Sequence, residues 1–77
     1  MSVAECRLAL RREGVRDDAY SLLGISGDER YCLVHGSDGW SVFYHERGMR
    51  RNEQLFSDED AACQYLLALV TSDPTTR

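Results

Sequence analysis

The 77 residues leave room for one domain with a thin core, since a chain of this size removes only roughly 60% of its unfolded surface from water. The net charge is −4, which argues against DNA or RNA as a partner, because phosphate-gripping surfaces carry a basic excess. Small size and acidity together favour a binding module that meets a basic protein surface over an enzyme with a deep pocket.

Ser2 and Glu5 form the S-x-x-E pattern of a capping box. Val3, Cys6 and Leu10 come next at helical spacing, Arg11 and Arg12 suit a helix C-terminus, and Gly14 suits the residue just beyond it, so a helix is expected over residues 3–13. Residues 16–29 are less patterned: Tyr20 to Leu23 read as a short strand or a packed loop, and Gly24 and Gly27 interrupt any regular element after it. RYCLVH, 30–35, reads as a strand, GSDG as a hairpin turn, and WSVFYHE, 40–46, as the partner strand. One face of this hairpin carries Tyr31, Leu33, His35, Trp40, Val42 and Tyr44 and is expected to lie against the helices. The other carries Cys32, Val34, Ser41, Phe43 and His45, which is apolar for a solvated face and marks a partner site. RGMRR, 47–51, reads as a turn and NEQLF, 52–56, as a third strand. Ser57 is expected to cap a second helix that carries Asp58, Glu59 and Asp60 in its first turn and ends near Thr71. The fold class is therefore α+β, in the order α-β-β-β-α with a further short N-terminal strand as an option. The sheet is read as an antiparallel meander with two helices packed on one face. Residues 1–72 form the domain, and 73–77 a flexible polar tail.

The three cysteines, Cys6, Cys32 and Cys63, are odd in number and lie inside expected elements. A disulfide scaffold uses paired cysteines in loops, so reduced, buried thiols and a cytoplasmic location are expected. MSVAECRLALRREG lacks the apolar run of a signal peptide, and no segment is long enough to span a membrane. All nine basic residues are arginine, a choice suited to bidentate contacts and equally produced by GC-rich coding.

No metal site is expected. Cys32-x-x-His35 comes nearest to zinc spacing, but strand alternation sends the two side chains to opposite faces. Cys32 and His45 could be neighbours on one face, yet neither a nucleophile elbow nor an oxyanion loop accompanies them. No catalytic residue and no cofactor are assigned. The helix–meander–helix order is also that of double-stranded RNA-binding domains, which place lysines at the start of the second helix. Here that position reads Ser57-Asp58-Glu59-Asp60, which would repel phosphate. Protein contact is the remaining chemistry. Its candidates are Phe43 with Glu46, Arg47, Arg50 and Arg51 around the turn, and an acidic rim into which Asp17, Asp18, Asp28, Glu29, Asp58, Glu59 and Asp60 could converge, the first four taken as contacts.

The run YCLVHGSDGWSVFYHERGMRRNEQLFSDEDAACQYLLALV resembles the small cytoplasmic immunity proteins of bacterial polymorphic and secretion-system toxins. Two pieces carry the resemblance: a hairpin strand ending in Glu46-Arg47-Gly48, and Phe56-Ser57-x-Glu59-Asp60-Ala61 leading into Cys63-x-Tyr65-Leu66-Leu67. The preceding GVRDDAYSL fits as well. The resemblance implies a non-enzymatic protein that binds a cognate toxin one-to-one in the producing cell and blocks its active site, in some members a NAD-degrading one. It implies no nucleic acid, membrane or small-molecule substrate. The rival expectation is a small regulatory or scaffold subunit of an unrelated complex.

Overall fold

In the computed structural model, which describes residues 1–77, Ser2 opens the first helix through the expected reciprocal cap. Its hydroxyl accepts the Glu5 N–H, and the Glu5 carboxylate accepts the Ser2 N–H. This helix, α1, spans Val3–Arg12 and buries Val3, Cys6 and Leu10. A single 3-10 turn at Asp17–Ala19 leads into β1 (Tyr20–Leu22), then β2 (Arg30–Gly36), β3 (Gly39–Glu46), β4 (Met49–Phe56) and α2 (Glu59–Thr71). The class is α+β, with two helices and four strands.

The sheet order is β1-β2-β3-β4. β2, β3 and β4 form the expected antiparallel meander, with Tyr31 opposite Tyr44, Leu33 opposite Val42 and Gly36 opposite Gly39. The Asp38-Gly39 signal therefore places the hairpin correctly. Gly39 is needed there on two counts: its φ is +118°, and a Cβ would lie 2.6 Å from the Phe56 carbonyl oxygen. The optional short strand exists but runs parallel to β2, pairing Tyr20 with Tyr31 and Leu22 with Leu33. The sheet is thus mixed. Parallel neighbours usually need a crossover of a dozen residues or more. Residues 23–29 suffice here because β1 is so short.

The segment read as a turn over 47–51 is mostly strand. Only Arg47 and Gly48 form the turn, both at positive φ (53° and 74°), the geometry of a tight two-residue hairpin. Arg50 and Arg51 lie in β4, paired with His45 and Tyr44. The register shifts between Val42 and Tyr44, where Asn52 takes φ 55° in a bulge.

Both helices lie on the face that carries Leu33 and Val42. The start of α1 meets the start of α2, with the Val3 N–H donated to the Glu59 carboxylate, and Ala9 and Arg12 lie beside Leu67, Ala68 and Thr71, so α1 and α2 run side by side in the same direction. Leu10, Leu33, Val42, Ala62, Cys63, Leu66 and Val70 close the core between them. All three cysteines are free and buried, and burial is the first cause of their raised thiol pKa values, in Cys6 up to about 12. The cap of α2 is Asp58 rather than Ser57. Its carboxylate accepts the Ala61 N–H at 2.7 Å, so the helix begins one residue later than expected. The tail also differs from the expected frayed end. Pro74–Thr76 form a 3-10 turn, and buried Thr76 donates its hydroxyl to the Val70 carbonyl. Its own carbonyl accepts the Arg16 N–H at 2.7 Å. No helix is long and apolar enough to cross a membrane.

Candidate partner-binding surface

The second face of the sheet is covered where it was expected to be open. Ser21 and Cys32 are register partners on that face, and the Ser21 hydroxyl donates to the Gly24 carbonyl. The His45 ring meets the Gly27 carbonyl at 3.1 Å. These contacts fold the 23–29 loop over the part of the face where β2 begins. The Arg50 guanidinium lies over the Phe43 ring, 4.4 Å from its centroid. Phe43 and Cys32 are both fully buried, although neither belongs to the core beneath the helices. Phe43 is therefore a packing residue and not an available contact. Arg50 is held as its cover, with Glu53 2.8 Å from its guanidinium.

Cys32 and His45 lie on one face as diagonal neighbours and not directly opposite one another. His45 pairs with Arg30 in the register, and Cys32 pairs with Phe43. The Cys32 thiol points to the Arg30 carbonyl, and burial raises its pKa, which suppresses the thiolate a nucleophile needs. No three His, Cys, Asp or Glu side chains converge as a metal site would require.

The charged candidates, by contrast, gather at one end of the sheet, where β1 and β2 begin and β3 turns into β4. The Asp28 carboxylate accepts the Arg47 N–H at 2.8 Å, tying the 23–29 loop to the β3–β4 turn. Glu46 and Arg51 pair across that turn at 3.1 Å. Asp17 and Asp18 precede β1 at the same end, with Arg16 3.5 Å from Asp18 and Arg11 3.9 Å from Asp17. Glu29, at φ 55°, makes no ion pair and borders a hollow of about 190 Å³ shared with Arg16, Tyr31, Tyr44 and Asp73. Asp58, Glu59 and Asp60 cap α2 at the opposite end of the sheet, so only part of the chain's acidity converges.

Between this rim and α2 runs an open groove of about 570 Å³, lined by Tyr31, Tyr44, Tyr65, Leu69, Arg51 and Asp73 among others. Tyr31 and Tyr44 meet edge to face at 4.9 Å, and Tyr65 tilts against Phe56 at 5.2 Å. The Tyr31 hydroxyl donates to Asp73 at 2.7 Å. Burial first, then that bond, pushes the Tyr31 pKa up to about 12. Asp73 is held below the usual carboxylate range by the Thr75 hydroxyl and then by Tyr31.

No protein-family profile, curated protein or solved structure matches the chain. The surface is thus defined by its own geometry: tyrosines with one apolar side and one wet hydroxyl, ringed by acids and by Arg47 at the tip of a rigid turn. Sequence reasoning placed Tyr31 and Tyr44 on the face expected against the helices and named neither them nor Tyr65 and Asp73 as contacts. Tyr31 and Tyr44 face the helices, as alternation requires, but α2 leaves both half-exposed at the groove. Trp40, on the same face, is likewise half-buried, stacked on His35 at 4.0 Å, while Leu33 and Val42 are fully buried.

Proposed function

We propose that the chain is an immunity-type protein that binds one copy of a toxin enzyme in the cytoplasm of the producing cell and occludes its active site, with no catalysis of its own. The observation that carries this reading is the gathering of Asp28, Glu29, Glu46 and Asp73 around Tyr44 in a tyrosine-lined groove, with Asp17 and Asp18 before β1 at the same end of the sheet. Tyrosine and arginine are the residues that anchor protein interfaces, and an acidic ring speeds encounter with a basic target. An enzyme that binds a phosphate-bearing substrate presents such a basic cleft. Arg47, held by its backbone at the turn tip, and Arg51, held by Glu46, supply directed donors within the ring. The resemblance of the Glu46-Arg47-Gly48 strand end and of the Phe56 to Leu67 run to small immunity proteins points the same way.

The experiment is capture by the tagged protein from source-cell lysate, with assay of the captured protein. The expected result is a single enzyme, toxic when expressed alone, whose activity is lost on adding one equivalent of this chain. Neutralising Asp17, Asp18, Asp28 and Glu29 together is expected to weaken the complex and flatten its salt dependence. Capture of a multi-subunit complex whose activity this chain supports would replace the reading with that of a regulatory subunit. Unchanged affinity in the four-site variant would remove the acidic ring from the interface.

A further inference from the structure

Arginines, which pair with acids over most of this surface, collect with little such pairing beside β1. Arg7 and Arg11 stand one turn apart on α1. Arg30 reaches the same place from the second face of the sheet, under the 23–29 loop. With Tyr20, Ser21, Leu22 and Ser26 they line a cleft of about 360 Å³ that wraps the outer edge of β1, and Asp17 is its one acid. Three arginines against one aspartate make this a positive recess on a chain of net charge −4.

Two of these arginines lack any counter-charge. Arg11, Arg16, Arg50, Arg51 and Arg77 have carboxylates within 4.0 Å; Arg7 and Arg30 have none, as is also true of Arg12 and Arg47 elsewhere on the surface. Arg30 Nε is moreover the one buried side-chain nitrogen or oxygen in the chain without a hydrogen-bond partner. Its placement is structurally fixed. A Cβ on Gly27, whose φ is +80°, would fall 2.5 Å from that nitrogen, so the loop backbone clamps the guanidinium in place. That nitrogen is sealed under the loop, so it fixes where the guanidinium sits, and the rest of the Arg30 side chain is what lines the recess. Ser26, 3.2 Å from Ser21 across the cleft wall, adds a hydroxyl that can turn towards the recess. β1 is an edge strand, so its outward peptide groups have no strand partner either.

We infer that this cleft binds a dianionic phosphoryl group, held by Arg7, Arg11 and Arg30 with the Ser26 hydroxyl. Planar guanidinium forks match tetrahedral phosphate oxygens in charge and geometry. The site goes beyond the toxin-binding reading and is separate from the tyrosine groove, with Asp17 as the one residue common to the cleft and the acidic rim.

The test is an NMR titration of the full chain with inorganic phosphate at fixed ionic strength, balanced by chloride, with a parallel titration of phenyl phosphate. Saturable shifts are expected at the Ser21, Leu22 and Ser26 amides and at the Arg30 Nε–H. Arg7→Ala leaves the core of α1 intact and is expected to weaken binding at least about tenfold, the loss of one charge-assisted contact. Arg30→Gln, which keeps a donor but removes the charge, is expected to weaken it as well. Tighter binding of phenyl phosphate would assign the site to phosphate esters, and equal binding to the phosphoryl group alone. Shifts that grow linearly with phosphate, that match those from chloride, or that are unchanged in folded Arg7→Ala would overturn the inference.

Discussion

Phe43→Ala distinguishes a packing residue from a contact residue. The ring is fully buried between the sheet, the 23–29 loop and the Arg50 guanidinium. Buried Phe-to-Ala changes cost about 3–5 kcal/mol, and the spread depends on how well the site collapses around the cavity. One wall here is Arg50, a long side chain able to settle, so the expected loss is about 3 kcal/mol. The whole chain, at about 0.05–0.15 kcal/mol per residue, has roughly 4–12 kcal/mol to lose. With a urea slope of about 1 kcal/mol per molar at this size, the midpoint should fall by about 3 M. Arg50→Ala removes only the cover, and the cation–π contact at an exposed site is worth about 0.5–1 kcal/mol. Urea unfolding monitored by far-UV circular dichroism measures both. A Phe43→Ala midpoint within about 0.5 M of the parent (about 0.5 kcal/mol at that slope) would mean the ring is solvent-facing, and Phe43 would return to the list of contacts.

The two candidate caps of α2 separate cleanly: Asp58→Ala is expected to cost about 1 kcal/mol, whereas Ser57→Ala should stay within about 0.5 kcal/mol. Tyr31→Phe removes the phenol that donates to Asp73 and should cost about 1 kcal/mol at neutral pH in the same urea assay. The pH limbs behave differently. The folded Tyr31 value is raised to about 12 from 10.0, so its contribution is complete below the lower value and is lost as pH rises towards the upper. Asp73 is depressed below 3.8, so its contribution is present above that value and is lost as pH falls through the lowered one. Tyr31→Phe should reduce the alkaline loss, the remainder coming from Tyr20, Tyr44 and the three buried thiols, whose values are also raised, and should leave most of the acid loss, because Thr75 is the larger cause of the Asp73 shift. An alkaline limb of undiminished size in the variant would show that Tyr31 does not contribute to it.

The elements legible in the sequence are those fixed by neighbours. The Ser2–Glu5 box, the Asp38-Gly39 hairpin and the 3.6-residue period of α2 each declare themselves within a few residues, and each stands where it was expected. β1 is ambiguous because three residues carry no period, and its parallel partner lies eleven positions away. The arginine segment misleads for another reason. MRRNEQL is exposed throughout, and an edge strand held by backbone bonds to β3 has no apolar alternation to reveal it. At the candidate site, composition indicated acids that could converge. It could not indicate that Asp28 would reach across to the Arg47 amide, or that a loop would cover Phe43. It also gave no sign that α2 would stop short of covering Tyr31 and Tyr44. Those are decisions of tertiary packing.

An open sheet offers two edges on which another chain can add a strand. Here one edge is only three residues long and flanked by arginines. The other is kinked at the Asn52 bulge and studded with Arg50, Arg51 and Glu53, a poor template for flat pairing. Leu55 is exposed beside it, but the bulge breaks the straight run of backbone groups that a growing fibril would copy. On the proposed immunity role, a protein that must outnumber its target is made in excess and accumulates unbound. These blunted edges let it do so as separate molecules.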